Sequence, residues 1–116
     1  MTYTIYHNPN CSKSRETLEI LKSKSTDIRI VEYLKTPPDK EELKEIIIKL
    51  NINPKELIRF KDDKAKEFGI SFEDDFSVEK WISILVNNPK LIERPIVISN
   101  ENGVIGRPPE NVLKLF

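Results

Sequence analysis

The sequence predicts an α/β domain built on a mixed sheet, in the order β-α-β, a helical insert, then β-β-α. Three observations carry this. Two β-rich runs, TYTIYH (2–7) and DIRIVEYL (27–34), flank a stretch with helical spacing. A crossover of that length makes the two strands parallel neighbours. The middle of the chain, about 37–90, reads as a helical insert, with amphipathic spacing at 43–50 and 78–85. The last third returns to an apolar strand-like run, PIVIS (95–99), followed by Asn102-Gly103 and VIG, a short-range hairpin signal.

Taken in order, TYTIYH alternates and is rich in β-formers, so it reads as the first strand. SKSRETLEILKSK (12–24) reads as a helix with Leu18 and Leu21 on one face and Ile20 beside them. DIRIVEYL is the second strand. Pro37 and Pro38 set up a helix start, and Asp39 and Glu42 have the spacing of a capping box with Asp in place of Ser or Thr. Leu43, Ile46, Ile47 and Leu50 then form an amphipathic face. NPKEL opens a short helix, with Asn53 as cap and Pro54 at its first position. KDDKAKEFG should add a turn or two before Gly69. Val78, Trp81, Ile82 and Leu85 place another amphipathic helix over 77–87. After the hairpin, RPPENVLKLF closes the chain with a helix starting at Pro108 or Pro109. This is the plan of a thioredoxin-type fold with extra helices in its middle, and 116 residues suit one domain spanning 1–116.

The bulk composition excludes several functions. Lys plus Arg and Asp plus Glu are 19 each, giving no net charge and no footprint for nucleic acid. No apolar run approaches the roughly 20 residues of a membrane helix. One cysteine rules out a disulfide within the chain, and with an N-terminus unlike a signal peptide it points to the cytoplasm. A single Cys and a single His are too few soft ligands for a metal site, so none is expected. A monomer is expected from the small size and balanced charge.

The only cysteine, Cys11, falls just after a strand and just before a helix, in YHNPNCSKSRETL. Unpaired N–H groups at a helix N-terminus and the helix dipole both favour a thiolate and can cradle an oxyanion. Ser12 and Ser14 can add hydroxyl donors, and Arg15 lies one helical turn away. A redox pair needs C-x-x-C, and Ser14 occupies the fourth position. A tyrosine-phosphatase-type loop needs five residues between Cys and Arg, whereas CSKSR has three. His7, the only histidine, ends the first strand; a structural or thiol-tuning role is expected of it before a direct base role. A lone cysteine is often inert filler, but this position argues for a nucleophile.

At this point the chain resembles the glutaredoxin-coupled arsenate reductase family, which has a thioredoxin-like fold. The residues that carry the resemblance are YHNPNCSKSRETL (6–18), YLKTPP (33–38), ELIR (56–59), ERPIVI (93–98) and GRPPENV (106–112). The resemblance implies Cys11 as the catalytic cysteine and Arg59, Arg94 and Arg107 as ligands of the arsenic oxyanion. It implies His7 near the active site and Pro95 as the cis proline beside the cysteine. The physics agrees, because guanidinium groups bind oxyanions in bidentate fashion and keep their charge. Arg94 and Arg107 flank the hairpin and can meet at one end of the sheet, whereas Arg29 reads as a solvated charge.

The implied reaction begins with Cys11 attacking arsenate. Glutathione is the co-substrate, no cofactor is bound, and glutaredoxin resolves the mixed disulfide. Three rivals share the fold: a relative of disulfide-stress transcriptional regulators that bind RNA polymerase, a glutathione-linked thiol oxidoreductase of another substrate, and a binding module without turnover. Ser14 weighs against the redox-sensing version of the first. The three arginines favour an oxyanion over a neutral disulfide.

Overall fold

The computed structural model describes residues 2–116. It divides into two compact units: the chain up to Thr36 together with Arg94–Phe116, and Pro37–Glu93.

The first unit holds a four-stranded mixed sheet in the order β2-β1-β3-β4. β1 (Tyr3–His7) runs parallel to β2 (Ile28–Glu32) and antiparallel to β3 (Ile96–Ile98), which pairs antiparallel with β4 (Gly103–Ile105). β1 is interior, and all five of its residues are buried. Its side chains alternate between the two faces. Tyr3 and Ile5 share one face and pack with Leu18 and Leu21 of α1 (Ser12–Lys24), with Val97 and with Val112. The helix thus lies on the same sheet face as the odd-numbered residues of β1, and His7 is the third of these.

Several details of this unit differ from the sequence expectation. β2 stops at Glu32, because the Glu32 carbonyl accepts from Lys35 N and Thr36 N and turns the chain. Asn102-Gly103 is not the centre of the hairpin. Gly103 pairs with Ile98 as the first residue of β4, and Ser99 N donates to Asn102 O at 2.8 Å to close a four-residue loop, Ser99 to Asn102. Register across the buried run Ile96–Ile98 outweighs the local turn preference. The closing helix begins at Pro109 as expected, but it is a 3₁₀ helix, Pro109–Leu115, with Pro108 as its cap, longer than most 3₁₀ runs.

The second unit is helical. α2 (Lys40–Leu50) begins where Asp39 Oδ1 accepts from Glu42 N at 2.8 Å, and it ends at Asn51 in the left-handed region. Leu43, Ile46 and Ile47 are buried, and α2 packs against α4 (Val78–Asn87). Ser77 caps α4 rather than belonging to it, and Trp81, Ile82 and Leu85 form its buried face. NPKEL forms a 3₁₀ helix, Pro54–Leu57, with a full capping box between Asn53 and Glu56. α3 (Asp63–Phe68) is capped by Asp62 and ends at Gly69, whose φ of 68° suits glycine. A further 3₁₀ turn, Pro89–Leu91, has no counterpart in the sequence expectation. No helix among the described residues is long and apolar enough to cross a membrane.

Candidate functional site

The strand-to-helix junction places Cys11 at the N-cap of α1, with extended backbone angles. Its N–H donates to Asn8 O at 3.0 Å, and its carbonyl accepts from Arg15 N at 3.0 Å. The intervening loop is tied by its own polar groups. Asn8 Oδ1 accepts from Asn10 N at 3.0 Å, Asn8 N donates to Ser14 Oγ at 3.0 Å, and Arg15 Nη1 donates to Pro9 O at 2.9 Å. The Asn-Pro-Asn sequence is a signature of such self-bonded turns, so Asn8 was open to discovery from sequence.

Cys11 is 8% exposed. Burial pushes its thiol up, but the Ser14 N–H, the Arg94 charge, the Lys13 N–H and the Arg107 charge together outweigh it. The net effect holds the thiol below its ordinary value and favours thiolate. Ser14 therefore acts on the sulfur through its amide. Its hydroxyl, which the sequence offered as a donor to the site, lies 2.6 Å from His7 Nδ1 and accepts from Asn8 N. Ser12 is exposed, as is Arg15.

His7 is buried on the α1 face of the sheet, and its ring bonds to Ser14. Burial lowers its pKa; Glu32 opposes the shift, while Lys22 and Arg15 add to it. A neutral imidazole joined to Ser14 supports the helix start and sits one residue from the Asn8 turn. The facing of His7 follows from its parity with Tyr3 and Ile5.

Both arginines flanking the hairpin reach this end of the sheet. Arg107 Nη2 lies 3.5 Å from Cys11 Sγ, and its Nε donates to Arg94 O at 2.7 Å. Arg94 Nε and Nη1 are buried without a hydrogen-bond partner among the described residues. The peptide bonds Arg94–Pro95 and Arg107–Pro108 are both cis, and Pro95 is buried. A buried guanidinium with uncommitted donors is energetically unfavourable unless an anion meets it. The arrangement thus joins a thiol of lowered pKa, a helix N-terminus and the unpartnered nitrogens of Arg94 in one place.

Arg59 belongs to the second unit. Its backbone is fixed by a bridge between Ile58 and Ile92, and Arg59 N donates to Leu91 O at 2.7 Å. Nη1 lies 3.1 Å from Asp62 Oδ2 and Nε lies 3.9 Å from Glu93 Oε1. No group of three or more His, Cys, Asp or Glu that could hold a metal occurs among the described residues.

Fold and site together define a thioredoxin-like protein whose cysteine, held below its ordinary pKa, lies beside two arginines. Residues 6–115 match the ArsC family, and the chain belongs to that family. It is 47% identical over 112 residues to the Escherichia coli K12 protein YfgD, covering 96% of this chain and 93% of that one. It is 40% identical over 109 residues to an arsenate reductase of Neisseria meningitidis, covering 93% and 92% of the two chains. The solved structure of an arsenate reductase from Vibrio cholerae superposes with a TM-score of 0.93 at 40% identity, covering 100% of this chain and 98% of that one.

Proposed function

We propose that the protein reduces arsenate to arsenite, using glutathione as co-substrate and glutaredoxin to regenerate the thiol. The observation that carries this reading is the pairing of an activated Cys11 with the two buried, unpartnered nitrogens of Arg94. Arsenate at neutral pH brings one to two negative charges and several acceptor oxygens, which suit guanidinium donors and helix N–H groups.

In this scheme the Cys11 thiolate attacks arsenic and an arsenate oxygen leaves as water, giving a sulfur–arsenic(V) bond. Glutathione supplies the second thiol. Each sulfur gives one electron to arsenic, which passes from the pentavalent to the trivalent state and leaves as arsenite. The sulfurs end as a Cys11–glutathione mixed disulfide, and glutaredoxin takes the glutathionyl group to restore the thiolate. Arg94 and Arg107 serve as oxyanion ligands next to the sulfur. Arg59 is a third ligand on the strength of the resemblance alone. His7 and Ser14 hold the start of α1, while Ser12, Arg15 and Pro95 shape its surroundings. A lone thiol suits this chemistry because the other thiols come from outside. A cytoplasmic location, where glutathione keeps thiols reduced, suits it too.

The test is arsenate-dependent NADPH oxidation with glutathione, glutaredoxin and glutathione reductase, run on wild type and Cys11→Ser. Turnover in wild type and none in Cys11→Ser is expected. A folded wild type that fails with a compatible glutaredoxin would overturn the reading.

A further inference from the structure

Position 106 requires glycine for space. A Cβ there would lie 2.5 Å from Thr17 Oγ1, 2.9 Å from Thr17 Cγ2 and 2.8 Å from Pro95 Cγ. None of these atoms can give way easily. Thr17 is fully buried in α1, is stiff at its branched Cβ, and donates to Lys13 O at 2.8 Å. Pro95 is a buried ring.

The backbone around Gly106 is pinned as well. Gly106 N donates to Pro95 O at 2.8 Å and Arg107 N donates to Ile105 O at 2.9 Å. Asn111 Nδ2 donates to Arg107 O at 2.9 Å and to Ile105 O at 3.2 Å. The residue that follows this pinned glycine is Arg107, whose Nη2 stands 3.5 Å from Cys11 Sγ.

We propose that the Gly106 seat, closed by Thr17, Pro95 and Asn111, is a positioning device that sets the distance between the Arg107 guanidinium and the Cys11 sulfur. α1 carries both Cys11 at its cap and Thr17 in its second turn. The Thr17–Gly106 contact therefore gauges the gap between the helix that bears the thiolate and the turn that bears the arginine. A charge at this range acts more weakly as it retreats, so lifting the turn off Thr17 weakens the hold of Arg107 on the sulfur. Thr17, Gly106 and Asn111 touch no reacting atom; they act through Arg107. The inference rests on Cys11 being the reactive thiolate, but not on arsenate being the substrate.

The test is the titration of Cys11, read by thiolate absorbance and by its alkylation rate with iodoacetamide against pH, with no arsenate present. The groups facing the sulfur are the Ser14 and Lys13 N–H, Arg94 and Arg107. Gly106→Ala should move the titration up, by no more than Arg107→Ala does, with correspondingly less thiolate below its pKa. Thr17→Ala added to Gly106→Ala removes two of the three close contacts and should recover part of the shift. Arg107→Ala should raise the titration too, and adding Gly106→Ala to it should change nothing further. Additive shifts, or a folded Gly106→Ala with an unmoved titration, would overturn the proposal. If Gly106→Ala does not fold, Asn111→Ala decides: an upward shift that vanishes in the Arg107→Ala background supports the seat, and an unmoved titration refutes it. A wild-type thiol titrating near 8.5 would instead refute the thiolate reading, and the seat with it.

Discussion

Arg94 and Arg59, both proposed as oxyanion ligands, stand in opposite electrostatic states. In the sheet-bearing unit, Arg94 buries Nε and Nη1 without a partner among the described residues, and its charge lowers the Cys11 pKa. In the helical unit, Arg59 faces two carboxylates, Asp62 and Glu93. A buried guanidinium left unpaired is held at a cost, which an incoming anion removes. A guanidinium already between carboxylates gains less from another anion, since its field is largely offset. The contrast separates an arginine with unpartnered buried nitrogens from one already held by two carboxylates.

The largest effect should fall on Arg94. Arg94→Ala is expected to lower kcat/KM for arsenate by about 100-fold or more, as loss of one preorganised oxyanion donor does elsewhere. Arg94→Lys should recover little of this, because an ammonium lacks the planar fork. Arg59→Ala should lose about tenfold or less, in proportion to a guanidinium that is already paired. Steady-state kinetics on the three variants settles the order. Equal losses at positions 59 and 94 would break the comparison.

The next effect is on pH. Below its pKa the thiolate fraction of Cys11 falls about tenfold per unit, so the acid limb of the rate profile should follow the lowered Cys11 value in wild type. Removing the Arg94 charge should move that limb up. Stability carries the same sign. A thiol whose folded pKa is depressed contributes stability that is present above the unfolded value near 8.5 and is lost as pH falls through the folded one. His7 behaves alike: its folded pKa is lowered, so its contribution is present above about 6.5 and is lost as pH falls through its folded value. Thermal melts across pH 5 to 9 (on the order of half-unit steps) should show wild type losing stability on acidification, with a smaller thiol-linked part in Arg94→Ala.

Much of this site was legible before the structure, and the gaps have physical causes. Helix α1 has its expected bounds, 12–24, because its apolar spacing and the preceding turn agree. Arg94 and Arg107 stood out because each precedes proline at the ends of the hairpin. The role of His7 was open, although counting by two from Tyr3 and Ile5 would have put it on the helix face. Ser14 was misassigned in part, since nothing local says that its hydroxyl turns to His7 and leaves its amide to serve the sulfur. Asn102-Gly103 pointed to the wrong turn because strand register is set by buried Ile96, Val97 and Ile98 and not by the turn residues. Gly106 and Thr17 were invisible for a simpler reason: they meet across 89 positions of chain.

The smallest predicted effect is the most discriminating for Arg59. Asp62 does two things, pairing with Arg59 through Oδ2 and capping α3 through Oδ1, which accepts from Lys64 N at 2.9 Å. Asn is as good an N-cap as Asp, so Asp62→Asn retains the cap while removing the negative charge that faces Arg59. Thermal stability should therefore change by no more than about 0.5 kcal/mol. If Arg59 is an oxyanion ligand restrained by its carboxylates, freeing it should lower KM for arsenate about two- to fivefold with kcat little changed, since binding improves without alteration at the sulfur. An unchanged KM in a protein that melts like wild type would assign Arg59 to the Asp62–Glu93 ion-pair group of its own unit, leaving the oxyanion to Arg94 and Arg107.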